Sequence, residues 1–305
     1  MPFPDISPIA FAIGPFSVRW YALGYLAGVF LGAWYATSLL NRPKLWAGDK
    51  PPFPAAAIWD FAFWAVLGIV LGGRTGYVLF YNLPYFLAHP QEIIAVWDGG
   101  MAFHGGLAGI LIAMALFTRS QNRVRPTSPL AGETAQPATK SPGEAGRGGA
   151  TETGATTAIL QSFDLLGAIG SVGIFLVRIA NFINGELYGA PTDAPWAVIF
   201  PTDPDQLPRH PTQLYEAALE GLLPFIVILV GSRWLGWLKR PGLVAGVFGL
   251  LYALGRILVE VWRLPDVQLG YLLGTGWVTM GMVLTTPILI AALILIGYAL
   301  SRPRG

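Results

Sequence analysis

Long apolar runs alternate with short polar segments along almost the whole chain. A membrane-spanning helix needs about 20 mostly apolar residues to cross ~30 Å of hydrocarbon. Seven such runs lie at 17–40, 57–81, 101–118, 160–182, 212–231, 242–262 and 274–300. The pattern predicts an all-α polytopic membrane protein with about seven transmembrane helices, forming a single membrane domain over residues 1–305.

The amino-acid composition agrees with this pattern. Hydrophobic residues make up 54% of the 305 residues and charged residues only 12%, whereas soluble domains carry about 25% charged residues. The chain contains no cysteine. A disulfide, a thiolate metal site and a thiol nucleophile from the protein itself are therefore excluded.

Basic residues are concentrated in every second connecting segment. If the spans simply alternate, every lysine and most arginines fall on one side of the membrane. The positive-inside rule makes that side cytoplasmic, so we expect the N-terminus outside and the C-terminus in the cytoplasm.

Three segments do not fit the apolar pattern. Residues 119–158 are rich in Pro, Gly, Ser, Thr and Ala and predict a disordered cytoplasmic linker. Residues 183–210, with turn signals at Asn184-Gly185 and Pro204-Asp205, predict a small cap on the outer face. Residues 84–97 are too short to cross the membrane and predict an interfacial segment.

Arg74, Arg178 and Arg256 lie inside apolar runs. Their positions in spans that enter from the predicted cytoplasmic side place all three about 21–26 Å across a ~30 Å slab. A charge at membrane depth costs at least ~2.5 kcal/mol, so each arginine needs a partner. Glu260, one helical turn after Arg256, can pair with it. Structural ion pairs and polar contacts between helices are the alternative to a binding site here.

Further polar residues accompany these arginines. Arg178 and Asn181 share a helix face that leads to Gly185 and the turn presenting Glu186, while Tyr252 lies one turn before Arg256. In the fifth span, Thr212 is a plausible N-cap, and Gln213, Glu216 and Glu220 fall on one face. Arg209 and His210 could be functional or could stabilise the cap, and Arg19 and Arg263 are expected to anchor span ends at the interface.

His104 lies near the outer end of the third span, between a phenylalanine and two glycines. A lone histidine is more often structural, but histidine is also the side chain best suited to accept a proton near neutral pH. Three arginines and a histidine at one depth indicate a site for an amphiphilic anion, because the planar guanidinium group suits phosphate. The residues alone therefore predict an outer-leaflet phospholipid site with a candidate general base.

Two other classes of membrane protein fit the sequence less well. A flippase would bind the same anion without chemistry, but alternating access usually places its site at the midplane between repeats, and this chain shows no repeat. An intramembrane hydrolase would need a nucleophile elbow or paired aspartates, and the sequence contains neither.

At these residues the chain resembles the bacterial prolipoprotein diacylglyceryl transferases. The matching stretches are RWYALGY (19–25), GGRTGYVLFYN (72–82), VWDGGMAFHGGLAG (96–109), RIANFINGELYG (178–189), LPRHPTQLYEA (207–217) and GRILVEVWRLPD (255–266). The departures are the 119–158 insertion, a short outer cap, and Met282 where family members often have Gln.

The resemblance implies a reaction and a location. The diacylglyceryl group of phosphatidylglycerol would be transferred to the lipobox cysteine thiol of a prolipoprotein signal peptide, forming a thioether and releasing glycerol phosphate. The enzyme would lie in the bacterial cytoplasmic (inner) membrane, with its active site facing the outer leaflet of the lipid bilayer. No metal, cofactor or nucleic acid is implied.

The resemblance also implies roles for residues. Arg178 and Arg256 would hold the phosphate and stabilise the charge on the leaving group, and His104 would be the candidate base. Tyr252 or Glu186 could serve instead, or the thiol could ionise in the field of the arginines. The residues that would bind or orient the substrates are Tyr21, Arg74, Arg178, Asn181, Glu186, Gly189, Tyr252 and Glu260.

Overall fold

The structure is a computed structural model that describes residues 1–4, 6–14, 16–96, 99–124, 147–264 and 270–303. Within these residues, seven helices are long and apolar enough to cross a membrane: Trp20–Leu40, Ala55–Phe80, Phe103–Asn122, Gly154–Ile183, Thr212–Arg233, Leu243–Glu260 and Met280–Ser301. The predicted class of all-α, multi-pass membrane protein is confirmed. The orientation of the termini stays a prediction.

The helices and strands of the described residues are named in chain order. The α-helices are α1 (Trp20–Leu40), α2 (Ile58–Phe80), α3 (Leu83–Ala88), α4 (Phe103–Val124), α5 (Arg147–Ile183), α6 (Thr212–Glu216), α7 (Leu223–Arg233), α8 (Leu243–Glu260) and α9 (Met280–Ser301). The strands are β1 (Ile9–Ile13), β2 (Phe16–Arg19), β3 (Val198–Ile199) and β4 (Pro208–Arg209). A π-helical segment, Ala217–Leu222, joins α6 to α7.

The predicted linker at 119–158 is helical at both ends. Helix α4 continues to Val124, and α5 begins at Arg147. Coil was expected at these flanks because residues 119–158 are rich in Pro, Gly, Ser, Thr and Ala. Residues 125–146 lie outside the described residues, so disorder there stays a prediction.

The chain divides into two compact units, which are described separately. The first comprises Met1–Leu39, Leu45–Gly48 and Asp164–Gly305, and the second comprises Leu40–Lys44 and Asp49–Phe163. In the first unit α8 packs against α7 and α9, and in the second α2 packs against α4. One membrane domain over residues 1–305 stays a prediction.

Glycines bring α2 and α4 of the second unit into direct backbone contact. A Cβ added to Gly109 would lie 1.9 Å from the carbonyl oxygen of Gly68, and one added to Gly105 would lie 2.3 Å from that of Gly72. Such close approach is typical of membrane helices, which pack through small residues. The two helices therefore cross at a distance that only glycine permits.

A buried carboxylate joins α5 to α8 in the first unit. Asp164 is inaccessible to solvent and accepts hydrogen bonds from the backbone N–H of Gly242 at 2.8 Å and of Ala245 at 2.9 Å. Gly242 precedes α8 with φ 94°, so the start of this helix has no side-chain cap of its own. Asp164 supplies that cap from another helix.

The segment predicted as an outer cap, residues 183–210, has little regular structure. Strands β3 and β4 pair antiparallel, and Pro2 lies beside Ile199 in a parallel bridge. The hairpin of β1 and β2 precedes α1, so the first helix begins at Trp20 rather than at residue 17. Neither hairpin was predicted, and the position of the cap on the outer face stays a prediction.

Candidate active site

Three arginines of the first unit contact one buried carboxylate. Arg178 lies near the end of α5, Arg256 near the end of α8, and Arg263 just after α8, whereas Glu216 ends α6. The Glu216 oxygens lie 3.2 Å from Nε of Arg178 and 2.9 Å from Nη1 of Arg263, and they also contact Nη1 of Arg256. The Glu216 side chain is 0% exposed, so these arginines pair with a fully buried charge.

Two further carboxylates complete this group, which we call the arginine–glutamate cluster (Arg178, Glu216, Glu220, Arg256, Glu260, Arg263). Glu220 lies 3.5 Å from Nη2 of Arg178 and 4.0 Å from Nη1 of Arg256. Glu260 contacts Nη2 of Arg256 and lies 3.2 Å from Nε of Arg263. The predicted pair of Arg256 and Glu260 is confirmed. Three guanidinium groups face three carboxylates, which satisfies the requirement that buried charges be paired.

The local sequence explains how these helices come close enough. A Cβ on Gly221 of the π-helical segment would lie 2.8 Å from the Phe175 Cα of α5, and one on Gly255 of α8 would lie 3.1 Å from the Leu219 carbonyl oxygen. Glycine at these two positions lets the segment carrying both glutamates pack between the helices carrying the arginines.

Helix α9 holds Glu260, the third carboxylate of the cluster. The Thr279 hydroxyl donates to Oε2 of Glu260 at 2.6 Å and accepts a hydrogen bond from the Met282 N–H at 3.2 Å, which makes Thr279 the N-cap of α9. A Cβ on Gly281 would lie 2.7 Å from Oε1 of Glu260 and 3.2 Å from Nη2 of Arg256. Glu260 is thus fixed between Arg256 and the start of α9.

The turn after α5 presents Glu186 as predicted. The Asn181 side chain donates to Oε1 of Glu186 at 2.7 Å, and Gly185 supplies the left-handed conformation with φ 67°. Leu187 also has a positive φ of 61°, which costs ~1–3 kcal/mol for a residue with a Cβ. Strain of this size requires support from the surrounding residues.

The start of α6 provides that support. The Thr212 hydroxyl donates to the Leu187 carbonyl oxygen at 2.9 Å, and the Gln213 amide donates to the Glu186 carbonyl oxygen. The predicted N-cap role of Thr212 is wrong, because Pro211 occupies the N-cap position and the Thr212 hydroxyl is used on the turn. Helix α6 therefore positions both Glu216 and Glu186.

Gly189 allows a close backbone contact. A Cβ there would lie 2.3 Å from the Trp262 carbonyl oxygen and 2.7 Å from Cγ2 of Thr212. The Gly189 N–H donates to the His210 carbonyl oxygen at 2.9 Å, and its backbone pairs with that of Arg263. Gly189 therefore ties the cap to the chain that carries Arg263.

Two tyrosines predicted for the site lie on α1 and α8. Tyr21 is half-buried and shares a hydrogen bond of 3.0 Å with the hydroxyl of Tyr25. Tyr252 is buried one turn before Arg256, and its ring stacks on Phe248.

The cap contains its own ion pair. Arg209 donates to both oxygens of Asp203, at 2.6 and 2.9 Å, and its guanidinium group lies 5.2 Å from the ring centre of Tyr188. The hydrogen bond from Arg209 lowers the pKa of Asp203 below its usual value near 3.8. His210 lies beside the Tyr215 hydroxyl at 3.1 Å, and burial lowers the pKa of His210. Of the two roles considered for Arg209, the structure supports stabilisation of the cap.

In the second unit, Arg74 is buried, and its hydrogen bonds to the described residues go to backbone groups. Its guanidinium nitrogens donate to the carbonyl oxygens of Glu92 at 2.6 Å, Ile93 at 2.8 Å, Gly99 at 2.6 Å and Gly100 at 3.2 Å. A buried ion pair was the structural alternative for Arg74, and the described residues show these backbone contacts. They fix the segment that leads into α4.

His104 is the second residue of α4 and is partly exposed. The next residue, Gly105, lies in the glycine crossing with α2, so the backbone of His104 is held by that contact. Its predicted place beside Arg178 and Arg256 stays a prediction, since those arginines belong to the other unit.

Sequence reasoning missed the central part of the cluster. It placed Glu216 and Glu220 on one face but gave them no partner, and it interpreted Arg263 as an interfacial anchor. The sequence signal was present, because carboxylates within an apolar helix need cations at the same depth.

Comparison with known proteins gives consistent matches. The family model described as prolipoprotein diacylglyceryl transferase matches residues 8–140 and 150–298. The chain is 49% identical over 302 residues to the phosphatidylglycerol–prolipoprotein diacylglyceryl transferase of Bradyrhizobium diazoefficiens, covering 98% of this chain and 94% of the relative. It is 46% identical to the proteins of that name from Mesorhizobium japonicum, covering 96% and 90%, and Rhizobium leguminosarum bv. trifolii, covering 100% and 94%.

Proposed function

We propose a specific reaction for this chain, which belongs to the prolipoprotein diacylglyceryl transferase family and is a multi-pass membrane transferase. The chain transfers the diacylglyceryl group of phosphatidylglycerol to the lipobox cysteine thiol of a prolipoprotein signal peptide. The relatives are named for phosphatidylglycerol and prolipoprotein as substrates.

The observation that carries this proposal is the arginine–glutamate cluster. Its arginine side chains keep 12–16% exposure although they lie in or beside apolar helices. A phospholipid brings its phosphate to such a depth while its acyl chains stay in the bilayer. Guanidinium groups bind phosphate through paired, charge-assisted hydrogen bonds.

The reaction forms one bond and breaks another. The thiolate sulfur attacks the carbon of the diacylglyceryl group that is bonded to the phosphate oxygen. A thioether bond forms at this carbon, and its bond to the phosphate oxygen breaks. Glycerol phosphate leaves with the bonding electron pair. Arg178 and Arg256 stabilise the negative charge that builds on this leaving group.

The thiol must lose a proton before it attacks, because the thiolate is the nucleophile. His104 is the proposed base, with Glu186 or Tyr252 as the alternatives among the matching residues. Retention of most activity by His104→Gln, with an unchanged pH profile, would show that the histidine only positions other groups.

The remaining predicted residues orient the side chains and backbone of the site or line it. Asn181 orients Glu186, Glu260 orients Arg256, and Tyr21 lines the lipid or peptide site. Gly189 maintains the backbone contact with Trp262, and Arg74 holds the segment before His104. We assign the positioning roles from the contacts that each residue makes. Gly189 and Arg74 are therefore proposed to position other groups and not to contact the substrate directly.

The proposed location is the bacterial cytoplasmic (inner) membrane, with the cluster facing the outer leaflet. The distribution of basic residues supports this orientation. It also matches a secreted peptide substrate, whose cysteine emerges on the outer side.

The test uses the purified full chain reconstituted in vesicles with phosphatidylglycerol and a peptide containing a lipobox cysteine. Mass spectrometry should detect the peptide with an added diacylglyceryl group, together with released glycerol phosphate. A peptide with serine in place of the cysteine is the control and should give no product. Saturable binding of phosphatidylglycerol without product would contradict the transferase and favour a flippase.

A further inference from the structure

The arginines of the cluster use only part of their hydrogen-bonding capacity on the three carboxylates. Among the described residues, Arg178 uses Nε and Nη2, Arg256 uses Nη1 and Nη2, and Arg263 uses Nε and Nη1. Within the described part of the chain, one nitrogen of each guanidinium group makes no ion-pair contact: Nη1 of Arg178, Nε of Arg256 and Nη2 of Arg263. A guanidinium group has five N–H donors, so each arginine retains capacity for another anion.

Glu216 determines how these three groups are arranged. Its two oxygens contact all three arginines, so the guanidinium groups lie next to one another around one carboxylate. Because Glu216 is fully buried in the cluster, an arginine that turns away from it loses a contact with a buried charge. Arg263 is oriented by the same carboxylate as Arg178 and Arg256.

Arg263 is also fixed through its backbone and by a second acid. It pairs with the backbone of Gly189, and its Nε lies 3.2 Å from Glu260. An interfacial anchor would extend its side chain toward head groups and water. The side chain of Arg263 is instead 16% exposed and directed into the cluster.

We propose that Arg263 is a third phosphate-binding residue and that Glu216 is the positioning residue that orients all three arginines toward the phosphate. This inference rests on the proposed function, since it adds two residues to the same phosphate site. Phosphate offers several acceptor oxygens, and a third cation becomes more important as the leaving group gains charge.

The first experiment measures kcat and KM for phosphatidylglycerol, and inhibition by glycerol phosphate, in reconstituted wild type, Arg263→Gln and Arg119→Gln. Arg119→Gln is the matched control, because Arg119 is exposed on α4. Loss of a charge-assisted hydrogen bond should raise KM and weaken inhibition about tenfold or more in Arg263→Gln. Unchanged KM and inhibition in Arg263→Gln, with an active wild type, would overturn the role of Arg263 and leave the proposed function intact. An inactive wild type would instead contradict the proposed function.

The second experiment tests Glu216 by combining Glu216→Gln with Arg263→Gln. Arg263→Gln lowers kcat/KM by some factor in the wild-type background. If Glu216 orients Arg263, that factor should be at least about threefold smaller in the Glu216→Gln background. If Glu216→Gln only weakened the structure, its effect on kcat/KM would be the same with and without Arg263. The two fold-losses would then multiply in the double variant, and that result would overturn the positioning role. Thermal unfolding identifies variants that fold, and Glu216→Asp replaces Glu216→Gln in the cycle if the latter does not fold.

Discussion

Asp164 on α5 accepts a hydrogen bond of 2.8 Å from the backbone N–H of Gly242, at the start of α8. Each of these residues precedes an arginine of the cluster by the same number of positions: Arg178 follows Asp164, and Arg256 follows Gly242. Two helices that are level at Asp164 and Gly242 and rise equally per residue place the two arginines at about the same level. The contact between Asp164 and Gly242 thus sets the register of α5 against α8 at the level of the two arginines.

Substitution of Asp164 should therefore affect the distant cluster. Asp164→Ala leaves the backbone N–H groups of Gly242 and Ala245 without this acceptor, at up to ~1–3 kcal/mol each, and loosens the register of α5 against α8. We expect a lower unfolding temperature and a lower kcat/KM for phosphatidylglycerol. Asp164→Asn, which retains one acceptor oxygen, should lose about half as much stability. Equal activity of all three proteins would contradict a link between the register and the cluster.

The crossing of α2 and α4 gives a second prediction. Gly109→Ala would place a Cβ 1.9 Å from the Gly68 carbonyl oxygen and should force the helices apart. Overpacking of this kind costs ~1–3 kcal/mol or more, which thermal unfolding in detergent would detect. Gly106→Ala is the control on the same helix, since its Cβ would meet nothing closer than 3.5 Å. Similar unfolding temperatures for the two variants would argue against the close crossing.

The start of α9 offers a test of the Arg256 geometry without any change of charge. Gly281→Ala would place a methyl group 2.7 Å from Glu260 and 3.2 Å from Arg256. We expect a fall in activity of about tenfold or more, because small displacements of a positioned group reduce transition-state stabilisation steeply. Gly297→Ala, whose Cβ would meet nothing within 4 Å on the same helix, should retain wild-type activity. Full activity of the Gly281 variant would show that Arg256 tolerates displacement.

The cap should lose stability in acid, and two groups contribute. Asp203 has a lowered pKa through Arg209, so its stabilisation is complete above its usual pKa near 3.8 and is lost as pH falls through the lower folded-state value. His210 has a pKa lowered by burial, so its contribution is complete above its usual value near 6.5 and declines on acidification.

Hydrogen exchange of residues 183–210 between pH 7 and pH 3 would measure both contributions. In Asp203→Asn, protection should be lower at neutral pH, and the decline below about pH 4 should disappear while the one near pH 6 remains. Asp193→Asn is the control, because Asp193 is exposed in the same segment. An unchanged acid profile in Asp203→Asn would contradict the role of the ion pair with Arg209.

The sequence predicted well those features that depend on composition and on local spacing. The seven spans follow from apolar runs, the Arg256–Glu260 pair from helical periodicity, and the Glu186 turn from Asn184-Gly185. In each case one stretch of chain carries the whole signal.

Contacts between distant segments were less predictable. Glu216 meets Arg178 and Arg263 only because the fold brings three helices together, and one helix face does not reveal which helix it will pack against. Among the described residues, the hydrogen-bond partners of Arg74 are backbone carbonyl groups, which every residue carries and which leave no sequence signal. The positive φ of Leu187 was equally invisible, since it is maintained by hydrogen bonds from α6.

The central claim is that guanidinium groups of the cluster bind the phosphate of phosphatidylglycerol during transfer to a thiol. The most direct measurement compares Arg178→Lys with wild type in vesicles containing phosphatidylglycerol and a lipobox peptide, following both the thioether product and glycerol phosphate. Lysine keeps the charge but loses the planar, paired donors, so we predict product from wild type and a loss of about a hundredfold or more in kcat/KM for the variant. Equal rates of product formation by Arg178→Lys and wild type would contradict the claim.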